Sequence, residues 1–309
     1  MKKDYPLSII YILLIMAMFF WSIAFIWTSQ LFEIGFKPLS VAFLRLVVAS
    51  IFLTICTKAL RIKESIRKED YKYLFLLGFA EPFCYFLGFK YGMLFVTPTT
   101  ASLFVATIPL VVPIFAWLFL KESVSMNKII GLLVSFMGVL LIIVDDLNLG
   151  GTLVGFLLLS ISVFSGAFYS ILLRKLTQSY SALTLAKYQV YTATCLFMPL
   201  FFIFDFQQFL GIPFTFSNFR YFLFLGALPS SLSFVFLAMA VRQLGAIRPS
   251  IMTNVIPVFT GILAFFILKE PFTGVKVLAM SIVIIGLFIS QSQFKIPFLK
   301  NIKLHKVGN

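Results

Sequence analysis

Long apolar runs joined by short polar connections follow one another along most of the chain. A helix needs about 20 predominantly apolar residues to cross the hydrocarbon core of a membrane. Ten successive windows approach or exceed that length, and they predict an all-α integral membrane protein with ten transmembrane helices. The windows are residues 7–29, 38–57, 71–91, 98–120, 127–144, 153–173, 183–204, 219–240, 247–268 and 275–290.

Two stretches of the chain repeat one another at a constant offset of 148 residues. Each copy has an apolar run with a proline, then a Lys-Glu pair, then a second apolar run that ends in glycine. The first copy contains Ile108, Pro109, Ile114, Ala116, Leu120, Lys121, Glu122, Lys128 and Gly138, and the second contains Ile256, Pro257, Ile262, Ala264, Leu268, Lys269, Glu270, Lys276 and Gly286. The repeat predicts two structurally equivalent halves, which we place at residues 1–148 and 149–309.

The positions of lysine and arginine predict the orientation of the halves, because short loops on the cytoplasmic side of a membrane are enriched in these residues. Most of the 25 cationic residues fall on the same predicted side as the N-terminus. Both termini are therefore predicted to be cytoplasmic, with Lys121-Glu122 inside and Lys269-Glu270 outside. The predicted fold is thus ten transmembrane helices arranged as two inverted five-helix repeats, an architecture that opens alternately to either side of a membrane.

The composition of the chain argues against several classes of function. Only 12% of the residues are charged, about half the share in a soluble domain, and the short connections leave no room for a soluble catalytic or nucleotide-binding domain. The three cysteines lack metal-ligand spacing, the single histidine is His305 in the tail, and no two acidic residues share the membrane interior. We therefore expect no enzyme activity, no cofactor and no metal site.

The expected partners are a small-molecule substrate and membrane lipids. We ascribe the formal charge of +14 to topology and to contact with lipid headgroups rather than to nucleic acid. Glycines spaced by four residues, at Gly88 with Gly92 and at Gly151 with Gly155, allow helices to approach closely. We assign them to helix packing or to homodimerisation.

Glu81 is the one acidic residue near the middle of a predicted span. An ionised carboxylate is costly in hydrocarbon, so it should face a partner, a cavity or a proton. Pro82 should kink the helix, and at helical spacing Glu81 shares a face with Gly78, Tyr85 and Gly88. Glu81 and Tyr85 are therefore candidates for binding a substrate or a proton, with Pro82 as a hinge. The alternative for Glu81 is a purely structural ion pair or hydrogen bond.

Arg45 is the only arginine that lies well within a predicted span. It is the natural partner of Glu81, and a pair that neutralises both charges need never touch a substrate. In the alternative interpretation, Arg45 extends toward the outer side and binds a carboxylate. Both interpretations keep Arg45 among the candidate site residues.

Prolines occupy equivalent mid-span positions in the two halves. Pro109 and Pro257 free backbone carbonyls that can line a cavity, which makes them candidate gating hinges, with a static kink as the alternative. Asn254 lies one turn before Pro257 and can bind either a substrate or a neighbouring helix. Further candidates for the cavity wall are Trp21, Ser22 and Tyr169.

These residues resemble the ten-span drug/metabolite transporter superfamily, and within it the proteins with two EamA-type repeats. The matching features are Trp21-Ser22, Phe43-Leu44-Arg45, Ile108-Pro109, Leu120-Lys121-Glu122, Asn254, Ile256-Pro257 and Leu268-Lys269-Glu270. Each motif is short, but their order and spacing extend over essentially the full chain. The resemblance implies a multi-pass protein of the bacterial cytoplasmic (inner) membrane that exports amino acids, related metabolites or drugs.

We therefore expect a secondary transporter that exports amino acids or related small amphipathic metabolites by alternating access. Glu81 is a candidate site for proton coupling, and the alternative is facilitated diffusion, which needs no titratable residue. Two alternatives stay open. An exchanger of sugar phosphates or nucleotide sugars needs several cationic residues in its cavity, whereas the sequence offers Arg45, with Lys90 and Lys187 nearer the span ends. A membrane scaffold without transport activity gives no reason for an inverted repeat with mid-span prolines.

Overall fold

The structure is a computed structural model that describes residues 5–120, 126–148, 152–213, 215–244, 249, 252–270 and 273–291. These residues form helices and connections and contain no β-strand. The α-helices are α1 (Leu7–Ile34), α2 (Pro38–Ala59), α3 (Tyr71–Gly78), α4 (Tyr85–Gly92), α5 (Pro98–Val105), α6 (Ile108–Leu120), α7 (Met126–Asn148), α8 (Leu153–Leu176), α9 (Ala182–Leu200), α10 (Phe206–Leu210), α11 (Phe216–Ala227), α12 (Ser233–Leu244), α13 (Ile256–Leu263) and α14 (Gly274–Gln291). The predictions for Lys121, Glu122, Gly151 and His305 fall outside the described residues.

Among the described residues, six helical stretches are long and apolar enough to cross a membrane. They are Leu7–Ile34, Pro38–Ala59, Pro98–Phe115, Leu153–Leu176, Ala182–Leu210 and Phe216–Leu244. Shorter apolar helices cover Ile129–Gly138, Thr253–Leu268 and Gly274–Gly286. The chain is therefore a multi-pass helical membrane protein in which several of the predicted helices are interrupted.

The predicted third span is not one continuous helix. Glu81 has an extended backbone (φ −143°, ψ 121°), and the wide turn Phe79–Cys84 separates α3 from α4. The prediction that Gly78, Glu81, Tyr85 and Gly88 share one helical face is therefore wrong, because an extended residue breaks the helical register. Gly78 packs against α9, whereas Gly88 packs against α8.

Three further irregularities in the described helices are milder, because they consist of π, 3₁₀ or hydrogen-bonded turns rather than an extended residue. A two-residue turn separates α5 from α6, the wide turn Leu228–Leu232 separates α11 from α12, and the 3₁₀ turn Thr253–Val255 precedes α13. Pro109 and Pro257 are the second residues of α6 and α13, where the missing amide hydrogen costs no intrahelical bond. Both prolines thus begin a helix after a break instead of kinking a continuous one.

Equivalent residues of the two sequence copies make reciprocal contacts between α7 and α14. Gly138 of α7 packs against Val283 of α14, and Gly286 of α14 packs against Ser135 of α7. The Ser135 hydroxyl also donates to the Val283 carbonyl at 3.0 Å. Because the later residue of α7 meets the earlier residue of α14, these two helices are antiparallel.

A second reciprocal contact involves Gly78 and Gly226, which are also 148 residues apart. A Cβ at Gly78 of α3 would lie 2.6 Å from the Gln189 carbonyl oxygen of α9, and a Cβ at Gly226 of α11 would lie 2.5 Å from the Val48 side chain of α2. Such close approach requires a residue without a side chain. Each half therefore presses a glycine against the second long helix of the other half.

The turn between α1 and α2 is fixed by residues that follow α9. Gly35 ends α1 with a φ of 108°, a left-handed conformation that glycine adopts at low cost. The Gln208 side-chain amide donates to the Gly35 carbonyl at 2.7 Å. Buried Asp205 accepts from the Ser40 amide at 2.9 Å and satisfies a donor in the first turn of α2.

Glu64 links the connection after α2 to the start of α9 through hydrogen bonds. Its carboxylate accepts hydrogen bonds from the Ser181 amide at 3.0 and 3.1 Å. Burial acts to raise the pKa of Glu64, but hydrogen bonds from Thr184 and Ser181 and the charge of Arg242 together hold this pKa below its ordinary value. This contact therefore stabilises the fold at pH values above the ordinary carboxyl pKa. The stabilisation is lost as the pH falls through the lowered pKa of Glu64.

Substitution of Gly88 by alanine is expected to lower the free energy of unfolding by about 1–3 kcal/mol, the usual cost of overpacking. A Cβ at Gly88 would lie 2.4 Å from the Leu158 carbonyl oxygen, and a backbone atom cannot rotate away. Gly274→Ala is the matched control, because a Cβ there meets nothing within 4 Å. Thermal unfolding in detergent measures both variants, and equal effects would contradict the close helix packing.

Candidate substrate-binding cavity

A cavity of about 110 Å³ lies where the interrupted helices meet. It is bordered by Glu81 at the break before α4, by Ala106 and Pro109 at the break between α5 and α6, and by Thr253 and Ile256 at the start of α13. Non-helical backbone at membrane depth is tolerated where it is buried in protein or lines a cavity. The interruptions and the cavity therefore belong to one arrangement.

The wall of the cavity is mostly apolar. Its aromatic residues are Trp21, Phe25, Tyr85, Phe86, Phe89, Tyr169 and Phe234, and its charged or hydroxyl side chains outside the tyrosines are Arg45, Glu81, Ser102, Ser170 and Thr253. The volume is well below the roughly 300–1,000 Å³ of pockets that hold drug-sized ligands. The cavity therefore suits a small solute that combines an apolar body with one or two charged groups.

The predicted site residues are divided by this cavity into two groups. Those that border it are Trp21, Arg45, Glu81, Tyr85, Tyr169 and the hinge candidate Pro109. Those that do not border it are Ser22, Asn254, Pro82 and Pro257.

Glu81 borders the cavity beside two tyrosines. Tyr85 and Tyr169 line the same cavity. Within the described parts of the chain, no side chain forms an ion pair with Glu81. A carboxyl group placed this way can exchange a proton or pair with an ammonium group.

Arg45 is buried, and it is held from the turn before α12. Its Nε donates to the Ser230 hydroxyl at 2.7 Å, and its guanidinium lies over the Phe86 ring, 4.5 Å from the centroid. Among the residues that the structure describes, no ion pair joins Arg45 to Glu81. Arg45 and Glu81 both border the cavity, but they do so without pairing with each other.

Trp21 and Ser22 are adjacent in α1 but have different roles. The wide turn before α12 leaves the Pro229 carbonyl available, and the Trp21 indole donates to it at 3.1 Å. The buried Ser22 hydroxyl donates to the carbonyls of Met18 at 2.8 Å and Ile256 at 3.1 Å. Ser22 therefore joins α1 to the start of α13 and does not face the cavity.

Tyr169 connects the cavity to a buried amide on α9. Its hydroxyl donates to Gln189 Oε1 at 3.3 Å. The Gln189 Nε2 and the Asn254 Oδ1 are buried and have no hydrogen-bond partner among the described residues. Asn254 thus keeps a free acceptor, although it lies outside the cavity wall.

Lys90 is a charged residue beside the site, and its burial was not foreseen from the sequence. The sequence suggests a position near a span end, but Lys90 is 1% exposed. Its Nζ donates to the Thr28 hydroxyl and lies 5.3 Å from the centroid of the Phe89 ring. The sequence did contain a signal for this position: Lys90 follows Phe86 by one helical turn, so both residues lie on the same side of α4.

Glu270 and Lys276 form a buried ion pair, although the sequence suggests loop charges at this point. Lys276 Nζ lies 2.8 Å from Glu270 Oε1. Glu270 also accepts from the Thr99 hydroxyl at 3.0 Å, and Lys276 donates to the Thr97 hydroxyl at 3.3 Å. This network joins α5 to the segment between α13 and α14 and to the start of α14, one helical turn from the cavity residue Ser102.

A multi-pass helical membrane protein with interrupted helices around a small charged cavity belongs to the class of membrane transport proteins. The model of the EamA-like transporter family matches residues 8–144 and, a second time, residues 153–291. The chain belongs to the EamA-like transporter family. It is therefore a transporter and not an enzyme, as the resemblance in its sequence predicts.

Individual relatives agree with this assignment. The uncharacterized transporter YetK of Bacillus subtilis (strain 168) is 26% identical over 265 residues, which cover 82% of this chain and 78% of YetK. A Streptantibioticus cattleyicolor protein named "Probable terminal-alkyne amino-acid exporter" is 26% identical over 238 residues, which cover 76% of this chain and 78% of that protein. A solved crystal structure with 15% identity and a TM-score of 0.62 covers 89% of this chain and 97% of its own, and it shows a similar fold.

Proposed function

We propose that this transporter exports amino acids or related small amphipathic metabolites across the bacterial cytoplasmic (inner) membrane by alternating access. Residues 1–148 and 149–309 form two inverted five-helix repeats, ten spans in all, with both termini in the cytoplasm. The observation that carries the proposal is the small cavity between interrupted helices, which Glu81 and Arg45 border together.

The antiparallel packing of equivalent helices supports the inverted arrangement. Helices α7 and α14 carry the ends of the two sequence copies, and they pack antiparallel through reciprocal glycine contacts. Helices α2 and α9 are the second long helices of the two halves. Ser50 bonds Thr194 at 2.9 Å and Thr54 bonds Tyr191, so these helices are antiparallel as well. Repeats with the same orientation would place equivalent helices parallel.

The chemistry of the cavity supports a small amphipathic solute. Aromatic rings can hold an apolar side chain, and Glu81 can pair with an ammonium group. The relative named as an amino-acid exporter supports the same class. A nucleotide sugar fits poorly, because a cavity of about 110 Å³ has no room for a base together with a sugar.

Proton coupling is assigned to Glu81. A carboxyl group that lines a cavity and lacks an ion-pair partner in the described chain is free to change its protonation state. Protonation on one side and release on the other would alternate its attraction for a cationic group of the solute. The gradient of protons would then drive export.

Closure toward the outer side is assigned to the network of Glu270, Lys276 and Thr99. It ties α5 of the first half to α14 of the second half and to the segment that precedes α14. Opening to the outside requires these contacts to break while the two halves rock apart. Buried charges then meet water, which lowers the cost of separating them.

Untargeted metabolite profiling of the culture medium tests the proposed function. Cells that overproduce the protein are compared with cells that lack it. The expected result is accumulation of amino acids or a related amphipathic class in the medium of overproducing cells. Unchanged media, together with no solute movement by the protein in liposomes, would contradict export and favour a membrane scaffold.

A further inference from the structure

Arg45 and Lys90 form a pair of buried cations beside the cavity. Both lie over the Phe86 ring, with the Arg45 Cζ 4.5 Å and the Lys90 Nζ 5.9 Å from its centroid. Arg45 is 3% exposed and Lys90 is 1% exposed. Two like charges at one ring repel each other, and each is costly to bury without a counter-charge.

The described residues do not supply that counter-charge. Among them, no carboxylate lies within ion-pair distance of either cation. The buried carboxylate of Asp205 is used in the first turn of α2, and Glu81 borders the cavity without reaching Arg45. The Thr28 hydroxyl and two aromatic rings solvate the Lys90 ammonium but carry no net charge.

Arg45 borders the cavity and has donors that the described part of the chain leaves unused. Its Nε is taken by Ser230, while its terminal nitrogens have no hydrogen-bond acceptor in the described part of the chain. A guanidinium offers two parallel N–H groups, the geometry that a carboxylate accepts best. Lys90 lies behind Phe86 and Phe89, which border the cavity, so its charge acts through a thin apolar wall.

We propose that Arg45 and Lys90 form an anion subsite that takes the carboxylate of the transported solute. Arg45 hydrogen-bonds the carboxylate, and Lys90 is a positioning residue that adds the second positive charge. The inference rests on the proposed export function and narrows its substrate class to small carboxylate-bearing solutes. These are either α-amino acids, whose ammonium group then lies toward Glu81, or simple organic acids. Amines without an anionic group are excluded.

Matched probes separate these chemistries in the protein reconstituted in nanodiscs. The first set is L-leucine, 4-methylpentanoate, which lacks its amino group, and 3-methylbutylamine, which lacks its carboxylate. The second set is L-phenylalanine, 3-phenylpropanoate and 2-phenylethylamine. Binding is followed by the fluorescence of Trp21 in the cavity wall and by ligand-induced shifts in thermal unfolding. The expected result is that carboxylate-bearing members of at least one set bind and the amine does not.

Variants of Lys90 test the second cation. Lys90→Met is expected to weaken binding of the carboxylate probe about tenfold, because the second positive charge near the site is lost, while Lys90→Arg retains it. Lys58→Met, at an exposed lysine, is the control. If Lys90→Met unfolds the empty protein, Lys90→Gln takes its place, because its amide can still bond Thr28 without a charge.

Three results would overturn the inference: binding of the amine in preference to the acid, equal binding by wild type and the uncharged Lys90 variant, or no binding by any carboxylate probe. The proposed export function is judged separately by metabolite profiling. Export of amines alone would remove the anion subsite and leave export standing, whereas absence of any exported solute would remove the export function itself.

Discussion

Replacement of Lys276 by methionine is expected to destabilise the folded protein by about 3–5 kcal/mol, because it leaves a buried carboxylate without its counter-charge. Glu270 is 8% exposed and lies 2.8 Å from the Lys276 ammonium. The hydrogen bond from Thr99 remains, but a hydroxyl does not neutralise a charge. Thermal unfolding of the purified protein in detergent measures the loss.

Two variants control for this effect. Lys37→Met removes an exposed lysine and should change stability very little, by less than about 0.5 kcal/mol. The double variant Lys276→Met with Glu270→Gln removes both charges and should recover much of the loss. A single Lys276→Met variant as stable as wild type would contradict a buried ion pair at this position.

Lys276→Met is also expected to open the cavity toward the outer side. In a background without the native cysteines, a cysteine at Ser102 should react faster with a membrane-impermeant maleimide when Lys276 is methionine. Ser102 is fully buried in this structure and borders the cavity. Unchanged reactivity in a variant that is otherwise destabilised would assign the network to stability alone and not to closure.

Substitution of Glu81 by glutamine is expected to lower transport by about tenfold or more and to remove its dependence on pH, where tenfold corresponds to about 1.4 kcal/mol. Glutamine keeps the shape of the side chain but can neither carry a proton nor pair with an ammonium group. The measurement is solute flux in liposomes across the neutral pH range, with a proton gradient imposed or absent.

Glu69→Gln is the matched control, because Glu69 is exposed in the connection before α3 and should leave flux and its pH profile unchanged. Glu81→Asp should keep the pH dependence with a lower rate, since the charge is preserved but lies one methylene further away. If Glu81→Gln transports normally and retains its pH profile, Glu81 has a structural role and proton coupling must lie elsewhere.

The helices were predictable from the sequence, and their interruptions were predictable only in part. Apolar windows locate helices because burial in lipid demands them. The break at Glu81 has a local signal, because Pro82 disfavours helical geometry at the residue before it, whereas the packing of Gly78 against α9 is a contact that no local pattern shows. The prolines gave a partial signal, since Pro109 and Pro257 mark the breaks although they lie just after them.

The cavity residues were partly predictable because charged and aromatic side chains within apolar spans are unusual. Glu81, Arg45 and Tyr169 were selected for that reason, and they border one cavity. Ser22 and Asn254 looked equally suitable. However, Ser22 bonds the start of α13, and Asn254 lies outside the cavity wall. Residue type alone does not show which face of a helix a side chain occupies once the helix is interrupted.

Lys90 and Lys276 were missed for the opposite reason. A lysine near the end of a span usually extends to the membrane surface. Lys90 is enclosed by Thr28 of α1 and two phenylalanines, and Lys276 contacts Glu270 and, in the first half, Thr97. Their burial depends on packing between segments that are distant in sequence.

The central claim is that the two halves lie inverted in the membrane and enclose a cavity that they expose in turn. Single cysteines at Lys121 and at its equivalent, Lys269, in a cysteine-free background test this directly with a membrane-impermeant maleimide. The predicted result is labelling of the cysteine at Lys269 in intact cells, and labelling of the cysteine at Lys121 only after the membrane is permeabilised. Labelling of both from the same side would contradict the inverted arrangement and, with it, alternating access.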